Sequence, residues 1–176
     1  AIDPEGRAYT VFGVDHVTSR WPRPAALVKK FGSREAWRDD ACAKLRAWGF
    51  NLLGDGTDEL MRGQGFATTA NLSLGRRFAR KGPAYALAPE RGTAGSGFPN
   101  VFHPDFPKFC AERVAQNSHR GEREFFGYFL DNELDWLAGG RRDAGVYDAC
   151  LRLPATHTAH GELVRFLAAR NLKPSA

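Results

Sequence analysis

The stretch Glu-Phe-Phe-Gly-Tyr-Phe-Leu-Asp-Asn-Glu-Leu-Asp-Trp, residues 124–136, joins a dense aromatic run to a cluster of acidic and amide side chains. Aromatic residues at this density favour a β-strand, and a continuous apolar run is typical of a strand buried on both faces. Residues alternate between the two faces of a strand, so Phe129, Asp131 and Glu133 should share one face. Parallel α/β sheets form their sites at the carboxyl ends of the strands, which is where this stretch turns polar.

Three carboxylates, Asp131, Glu133 and Asp135, follow the aromatic run directly. An unpaired carboxylate is costly to bury, so this position needs a physical reason. A carboxyl group held against aromatic rings acquires the raised pKa that a general acid needs near neutral pH. The alternative is that these acids lie in a solvated loop, and the stretch by itself leaves both interpretations open.

The composition is ordinary for a globular domain, with 43% hydrophobic and 26% charged residues over 176 positions, enough for one sizeable core. The net charge of +5 is spread along the chain, so a nucleic-acid partner is not expected. The three cysteines form neither a disulfide framework nor a zinc-ligand spacing. No run approaches the roughly 18 apolar residues of a membrane span, so no membrane partner is expected either.

Predicted strands and helices alternate along the chain. Ser33 is a good N-cap, and Gly49 is the expected stop of the helix that follows it. Strands are predicted at residues 9–17, 50–54 and 68–74 and in the central stretch, and helices at 35–48, 59–66, 106–118 and 159–171. The Gly-rich residues 75–104 and 137–158 are predicted to be irregular loops. Such alternation is typical of a parallel sheet with helices packed outside it.

The predicted fold class is therefore α/β, an incomplete TIM (β/α)8 barrel of about four βα units. An eight-unit barrel usually needs about 250 residues, so four units are half of one. Asp15 and His16 end the first predicted strand, and Asp55 ends the second. In such a barrel all three side chains should reach the same mouth as Glu133.

A strand four that ends in Asn132-Glu133 resembles clan A glycoside hydrolases, which are (β/α)8 barrels. The fuller string Gly-Tyr-Phe-Leu-Asp-Asn-Glu-Leu-Asp-Trp, residues 127–136, resembles the β-agarase type, glycoside hydrolase family 50 and its relatives. Three further segments are similar to that type: residues 3–7 before strand one, 48–54 at strand two and 148–155 after strand four. Four segments in the same order make the resemblance fairly specific, since Asn-Glu alone is a weak signal.

The resemblance implies a retaining glycosidase acting on β-galactosidic bonds of a red-algal polysaccharide such as agarose. It implies that Glu133 is the acid/base and that Asn132 contacts the hydroxyl next to the anomeric carbon. The nucleophile of such barrels ends strand seven, which this chain lacks. We therefore expect residues 1–176 to be a partial catalytic domain, a fragment inactive alone, with the remaining strands downstream.

For most of the other candidate site residues, the sequence allows either a role in binding the sugar or a purely structural role. Asp15, His16 and Asp55 would hydrogen-bond sugar hydroxyls, or would be satisfied rim residues. Trp136 would be a stacking platform for a sugar ring, since pyranose faces are apolar, or would cap the core. His103 would line the cleft from its loop.

Four further side chains outside that set have an expected place in the fold. Trp21 is a second candidate platform, in the loop after strand one. Asp131 is expected to be a buried hydrogen-bond or ion-pair partner rather than a catalyst. Trp37 and Trp48 fall on the apolar stripe of a predicted helix and are expected in the core.

Two function classes stay open: a glycosidase, and a non-catalytic or degenerate carbohydrate-binding barrel fragment. A lyase or isomerase is disfavoured because the sequence has no phosphate-cradling Gly-rich loop and no metal-ligand cluster. No metal and no cofactor are therefore expected, and the expected partner is a polysaccharide or oligosaccharide substrate. The sequence does not indicate an oligomeric state. Polymer-degrading members of the family are exported, so the resemblance implies a secreted or periplasmic protein.

Overall fold

The computed structural model describes residues 1–2, 5–20, 24–87, 97–134, 136 and 145–173. These residues form two compact units. Unit 1 comprises Ala1–Asn71 and His119–Phe129, and unit 2 comprises Leu72–Ser118 and Leu130–Ala176. Asp3, Pro4, Trp21 and Asp135 lie outside the described residues, so the expectations placed on them stay predictions.

A four-stranded parallel sheet forms the centre of unit 1. The strands are β1 (Gly13–Val14), β2 (Leu52–Leu53), β3 (Ala67–Asn71) and β4 (Phe125–Phe129), and they lie side by side in chain order. All three pairings are parallel. Four parallel strands that lie side by side in chain order are the arrangement expected for half of a (β/α)8 barrel. The predicted α/β fold class is therefore confirmed.

Two helices of unit 1 lie between β1 and β2. Helix α1 spans Pro24–Phe31 and α2 spans Arg34–Ala47. The Ser33 hydroxyl accepts a hydrogen bond from the Ala36 amide at 3.0 Å, which is the N-cap that the sequence predicts. Gly49 ends the segment with φ of +82°, a conformation that glycine adopts without a steric cost. A buried core follows from this packing, made of Cys42, Leu45, Leu53, Met61 and Phe66.

Unit 2 is helical in its described residues. Its helices are α3 (Leu74–Ala79), α4 (Phe106–Gln116), α5 (Val146–Leu151) and α6 (Thr158–Ala168). One core contains Leu87, Phe98, Cys150 and Ala159. A second cluster is aromatic: the fully buried Phe78 ring contacts the rings of Tyr85, His103, Phe106 and Phe109 at centroid distances of 5.0–5.7 Å. No helix among the described residues of either unit is long and apolar enough to cross a membrane.

Several predicted elements were wrong in extent. Residues 75–104 are not wholly irregular, since most of α3 and a short 3-10 helix at Pro83–Tyr85 lie there, and α5 lies inside the other predicted loop. Helix α1 was missed because Pro24 suggested a loop, although proline fits the first position of a helix well. The helix predicted at residues 59–66 is only a 3-10 turn at Glu59–Met61.

Two burial predictions also fail. Strand β4 is not buried on both faces: Phe126 is 48% exposed and Tyr128 36%, because the face of the strand that carries these alternate residues is open to solvent. Trp48 is 64% exposed rather than in the core, since the helix ends just before it. Trp37, the other tryptophan of that stripe, does pack against the core as predicted.

Candidate functional site

Polar side chains gather at the carboxyl ends of the first three strands in unit 1. The His16 amide donates to the Asp55 carbonyl at 2.8 Å, and the Asn71 side-chain amide donates to the Asp55 carboxylate at 2.8 Å. Asp15 and His16 are exposed, and Asp55 is half-buried. We call Asp15, His16, Asp55 and Asn71 the strand-end cluster. It offers the exposed carboxylate of Asp15 and the exposed imidazole of His16, which suit a polyhydroxylated ligand.

Two glycines after β2 make room for this cluster. A Cβ on Gly54 would lie 1.7 Å from the Asp15 Oδ1 atom, and one on Gly56 would lie 2.6 Å from the His16 ring. His16 itself has φ of +59°, a left-handed conformation uncommon outside glycine. Backbone strain of this kind persists only where the surroundings fix it, and it concentrates at functional sites. The two strand ends are therefore shaped to hold Asp15 and His16 closely against β2.

A buried ionic network ties together the loops that follow β1 and β2. The Asp58 side chain is fully buried and accepts hydrogen bonds from the Ser19 hydroxyl at 2.5 Å and from the Arg34 guanidinium at 2.8 Å. Burial acts to raise the pKa of Asp58, but the hydrogen bonds from Ser19, Arg34 and the Leu60 amide outweigh it and lower that pKa to about 2. Asp58 therefore holds the two loops as a carboxylate.

Asn132 and Glu133 follow β4 and lie in unit 2. Both side chains are exposed, and Glu133 has φ of +48°. The burial against aromatic rings that the sequence argument supposed is not found for Glu133 among the described residues. A carboxyl group at an exposed turn is instead open to a polymer approaching from solvent.

Asp131 is a hydrogen-bond partner, as predicted, and not an exposed acid. Its carboxylate accepts from the backbone amides of Gly75 at 2.6 Å and Arg76 at 3.0 Å. Asp131, the acid just before the Asn132-Glu133 pair, is thus hydrogen-bonded to the backbone of residues 75 and 76. The polar side chains of Asn132 and Glu133, by contrast, are exposed to solvent.

Trp136 and His103 have contrasting surroundings within unit 2. Trp136 is 65% exposed, with its ring packed edge-on against the buried Phe98 at 4.6 Å between centroids. An exposed indole fixed on a core residue has the form of a stacking platform. His103 instead belongs to the aromatic cluster, 4.4 Å from the Tyr85 ring and with its side chain only 19% exposed. Packing accounts for His103 without a ligand, and its role in a cleft stays a prediction.

The structure places Asp15, His16 and Asp55 close together within unit 1, as the sequence predicts, and adds two residues that the sequence reasoning missed. Asn71 was passed over because it lay in the middle of the predicted third strand, whereas β3 ends there. Asp58 was not distinguished from surface acids, because nothing near it in the sequence indicates an arginine partner 24 residues away. Among the described residues, no group of three or more His, Cys, Asp or Glu side chains is placed to hold a metal ion.

No protein-family model matches the chain. The chain is similar to β-agarase A of Vibrio sp. (strain JT0107), with 26% identity over 117 residues, or 62% of this chain and 11% of that protein. It is also similar to the crystal structure of BpGH50, with a TM-score of 0.68 and 20% identity over 98% of this chain and 39% of that one.

These findings confirm the resemblance to the β-agarase type of glycoside hydrolase and the fold of an incomplete TIM barrel. The structural likeness, at 20% identity, carries the fold alone. The chain spans about a tenth of the length of the curated relative and about two fifths of the solved structure. Activity, substrate and partners of this chain are therefore matters for proposal.

Proposed function

We propose that residues 1–176 are part of the catalytic domain of a secreted or periplasmic glycoside hydrolase that cleaves β-galactosidic bonds of a red-algal polysaccharide such as agarose. The observation that carries the proposal is the exposed Asn132-Glu133 pair directly after β4 of a parallel sheet. The similarity to β-agarase A supports the substrate class. The substrate is a neutral polymer or oligosaccharide, and the chemistry uses no cofactor.

In this proposal Glu133 serves as the acid/base of a retaining mechanism. Its protonated carboxyl donates a proton to the glycosidic oxygen while the bond from that oxygen to the anomeric carbon breaks. A second carboxylate, supplied from outside these 176 residues and held about 5–5.5 Å from the Glu133 carboxyl group, attacks the anomeric carbon. Glu133 then removes a proton from water, which displaces that carboxylate. Asn132 hydrogen-bonds the neighbouring sugar hydroxyl. Considered by itself, the strand-end cluster of unit 1 provides side chains that hydrogen-bond sugar hydroxyls.

The exposed indole of Trp136 supplies the apolar surface for a pyranose ring. Replacing Trp136 with alanine should weaken binding of agaro-oligosaccharides about tenfold, because one ring-stacking contact is worth on the order of 1 kcal/mol. Isothermal titration calorimetry measures the dissociation constant. Trp48→Ala is the matched control, since Trp48 is equally exposed but lies in unit 1. Equal affinities for the two variants would show that Trp136 does not bind the sugar.

The test of the proposal is the stereochemistry of hydrolysis by the full open reading frame that encodes this chain. The protein is incubated with agaro-oligosaccharides, and proton NMR follows the anomeric configuration of the first product. A retaining glycosidase releases the β-anomer before it equilibrates to the α-anomer. Initial release of the α-anomer would contradict the double-displacement mechanism. Absence of any cleavage across agarose and related galactans would contradict the activity.

A carbohydrate-binding role without catalysis is the second candidate. The exposed Trp136 on its Phe98 support favours it, because a stacking platform needs no nucleophile. Binding of agaro-oligosaccharides without their cleavage by the full reading frame would establish this role instead.

A further inference from the structure

The first turn of α3 is capped by a side chain from another loop. Ser73, the residue before the helix, has φ of +50° and its side chain makes no capping hydrogen bond. Three consecutive amides of that turn are satisfied instead by the two residues that follow β4. Leu74 donates to the Leu130 carbonyl at 2.8 Å, and Gly75 and Arg76 donate to the Asp131 carboxylate. Residues 130 and 131 thus replace the cap that the local sequence lacks.

This arrangement requires glycine at position 75. A Cβ there would lie 2.9 Å from the Asp131 Oδ2 atom and 2.6 Å from the Pro99 Cγ atom. Either distance is shorter than ordinary van der Waals contact, so a side chain would push the carboxylate away. Burial, and secondarily the negative charge of Asp131, raise the pKa of the nearby Cys110 thiol. Asp131 therefore occupies a confined place in unit 2, beside Gly75 and Pro99.

We propose that Asp131 is the positioning residue for Glu133, and that it acts by fastening the turn after β4 to the start of α3. Glu133 lies two residues beyond this anchor and has a left-handed backbone. Such a conformation persists when its surroundings over-determine it. With Leu130 and Asp131 fixed by three hydrogen bonds, the Glu133 Cα can vary little in position. Asp131 does not touch the substrate, and this inference rests on the proposed acid/base role of Glu133.

The kinetic test compares Asp131→Ala, Asp131→Asn and the surface control Glu112→Ala in the full-length protein. Glu112 is an exposed member of α4, in an ion pair with Lys108. Asp131→Ala should lower kcat about 10- to 100-fold and leave KM nearly unchanged, because misplacing an acid affects the transition state more than binding. Asp131→Asn keeps one acceptor oxygen, so its kcat should lie between that of Asp131→Ala and that of the wild type. All rates are measured well below each variant's unfolding temperature.

A purely structural role of Asp131 would lower thermal stability without changing kcat of the folded protein. That result would overturn the inference. A rise in KM with an unchanged kcat would also overturn it. Glu133→Gln is assayed beside these variants. If it loses activity while Asp131→Ala keeps the wild-type kcat, the proposed function survives and the positioning role does not.

Amide NMR signals separate the two claims when no activity is found. In Asp131→Ala the backbone amide signals of Gly75 and Arg76 should shift, because they lose their acceptor. If Asp131 positions Glu133, the amide signals of Asn132 and Glu133 should shift and broaden in the same variant. Glu112→Ala should leave all four unchanged. Unchanged Asn132 and Glu133 signals in Asp131→Ala would overturn the positioning role, whatever the protein's activity.

Discussion

Replacing Glu133 with glutamine should lower kcat for agaro-oligosaccharides by about 10²- to 10⁴-fold, the usual contribution of a general acid/base. Glutamine keeps the shape and hydrogen-bonding ability of the side chain, but it has no proton to give to the leaving oxygen. Because Glu133 is exposed, the substitution should leave the unfolding midpoint nearly unchanged. Steady-state kinetics of the full-length protein measure the effect, with Glu112→Gln as the control on an exposed helix position.

An aryl β-galactoside substrate distinguishes loss of the general acid from loss of the whole active site. Its phenolate leaves without protonation, so Glu133→Gln should form the glycosyl-enzyme normally and then hydrolyse it slowly, with a burst of phenolate. Added azide should restore turnover in Glu133→Ala, because this small anion attacks the intermediate without needing a general base. A Glu133→Gln variant as active as its parent on natural and aryl substrates would show that another residue is the acid/base.

The parts of the fold that could be predicted are those with a local physical cause. Ser33 and Gly49 bound α2 because a cap and a left-handed stop act within a few residues. The aromatic run made β4 visible, and the polar residues after it pointed to the candidate site. The order of parallel strands followed from alternation alone.

The parts that could not be predicted depend on partners distant in sequence. Asp131 reads as one more acid in an acidic stretch, and only the folded chain shows that it caps a helix 55 residues earlier. Helix α3 was hidden for the same reason, since its cap comes from elsewhere and Gly75 in its first turn suggests a loop. Trp48 looked like a core residue because periodicity does not show where a helix runs past the core it covers.

Replacing Asp58 with alanine should lower the free energy of unfolding by about 3 kcal/mol at pH 7, because it removes the buried anion that satisfies Arg34 and Ser19. The total free energy of unfolding of a domain is typically about 5–15 kcal/mol, so this loss is about one third of it. Urea denaturation measures it. Asp39→Ala is the control: its ion pair with Arg38 is as short, at 2.7 Å, but Asp39 is 65% exposed, so the loss should stay within about 0.5 kcal/mol.

The pH dependence identifies the charge of Asp58 as the cause. The pKa of Asp58 is about 2 in the folded chain, below the ordinary aspartate value near 3.9 that applies when the chain is unfolded. A lowered folded-state pKa gives stability that is complete above about pH 5, where the unfolded-state carboxyl is ionised, and that is lost as the pH falls towards 2. The stability difference between the wild type and Asp58→Ala should therefore shrink steadily from pH 5 to pH 2. A difference that stays constant over that range would show that Asp58 contributes through packing, and that its carboxylate does not hold the loops after β1 and β2.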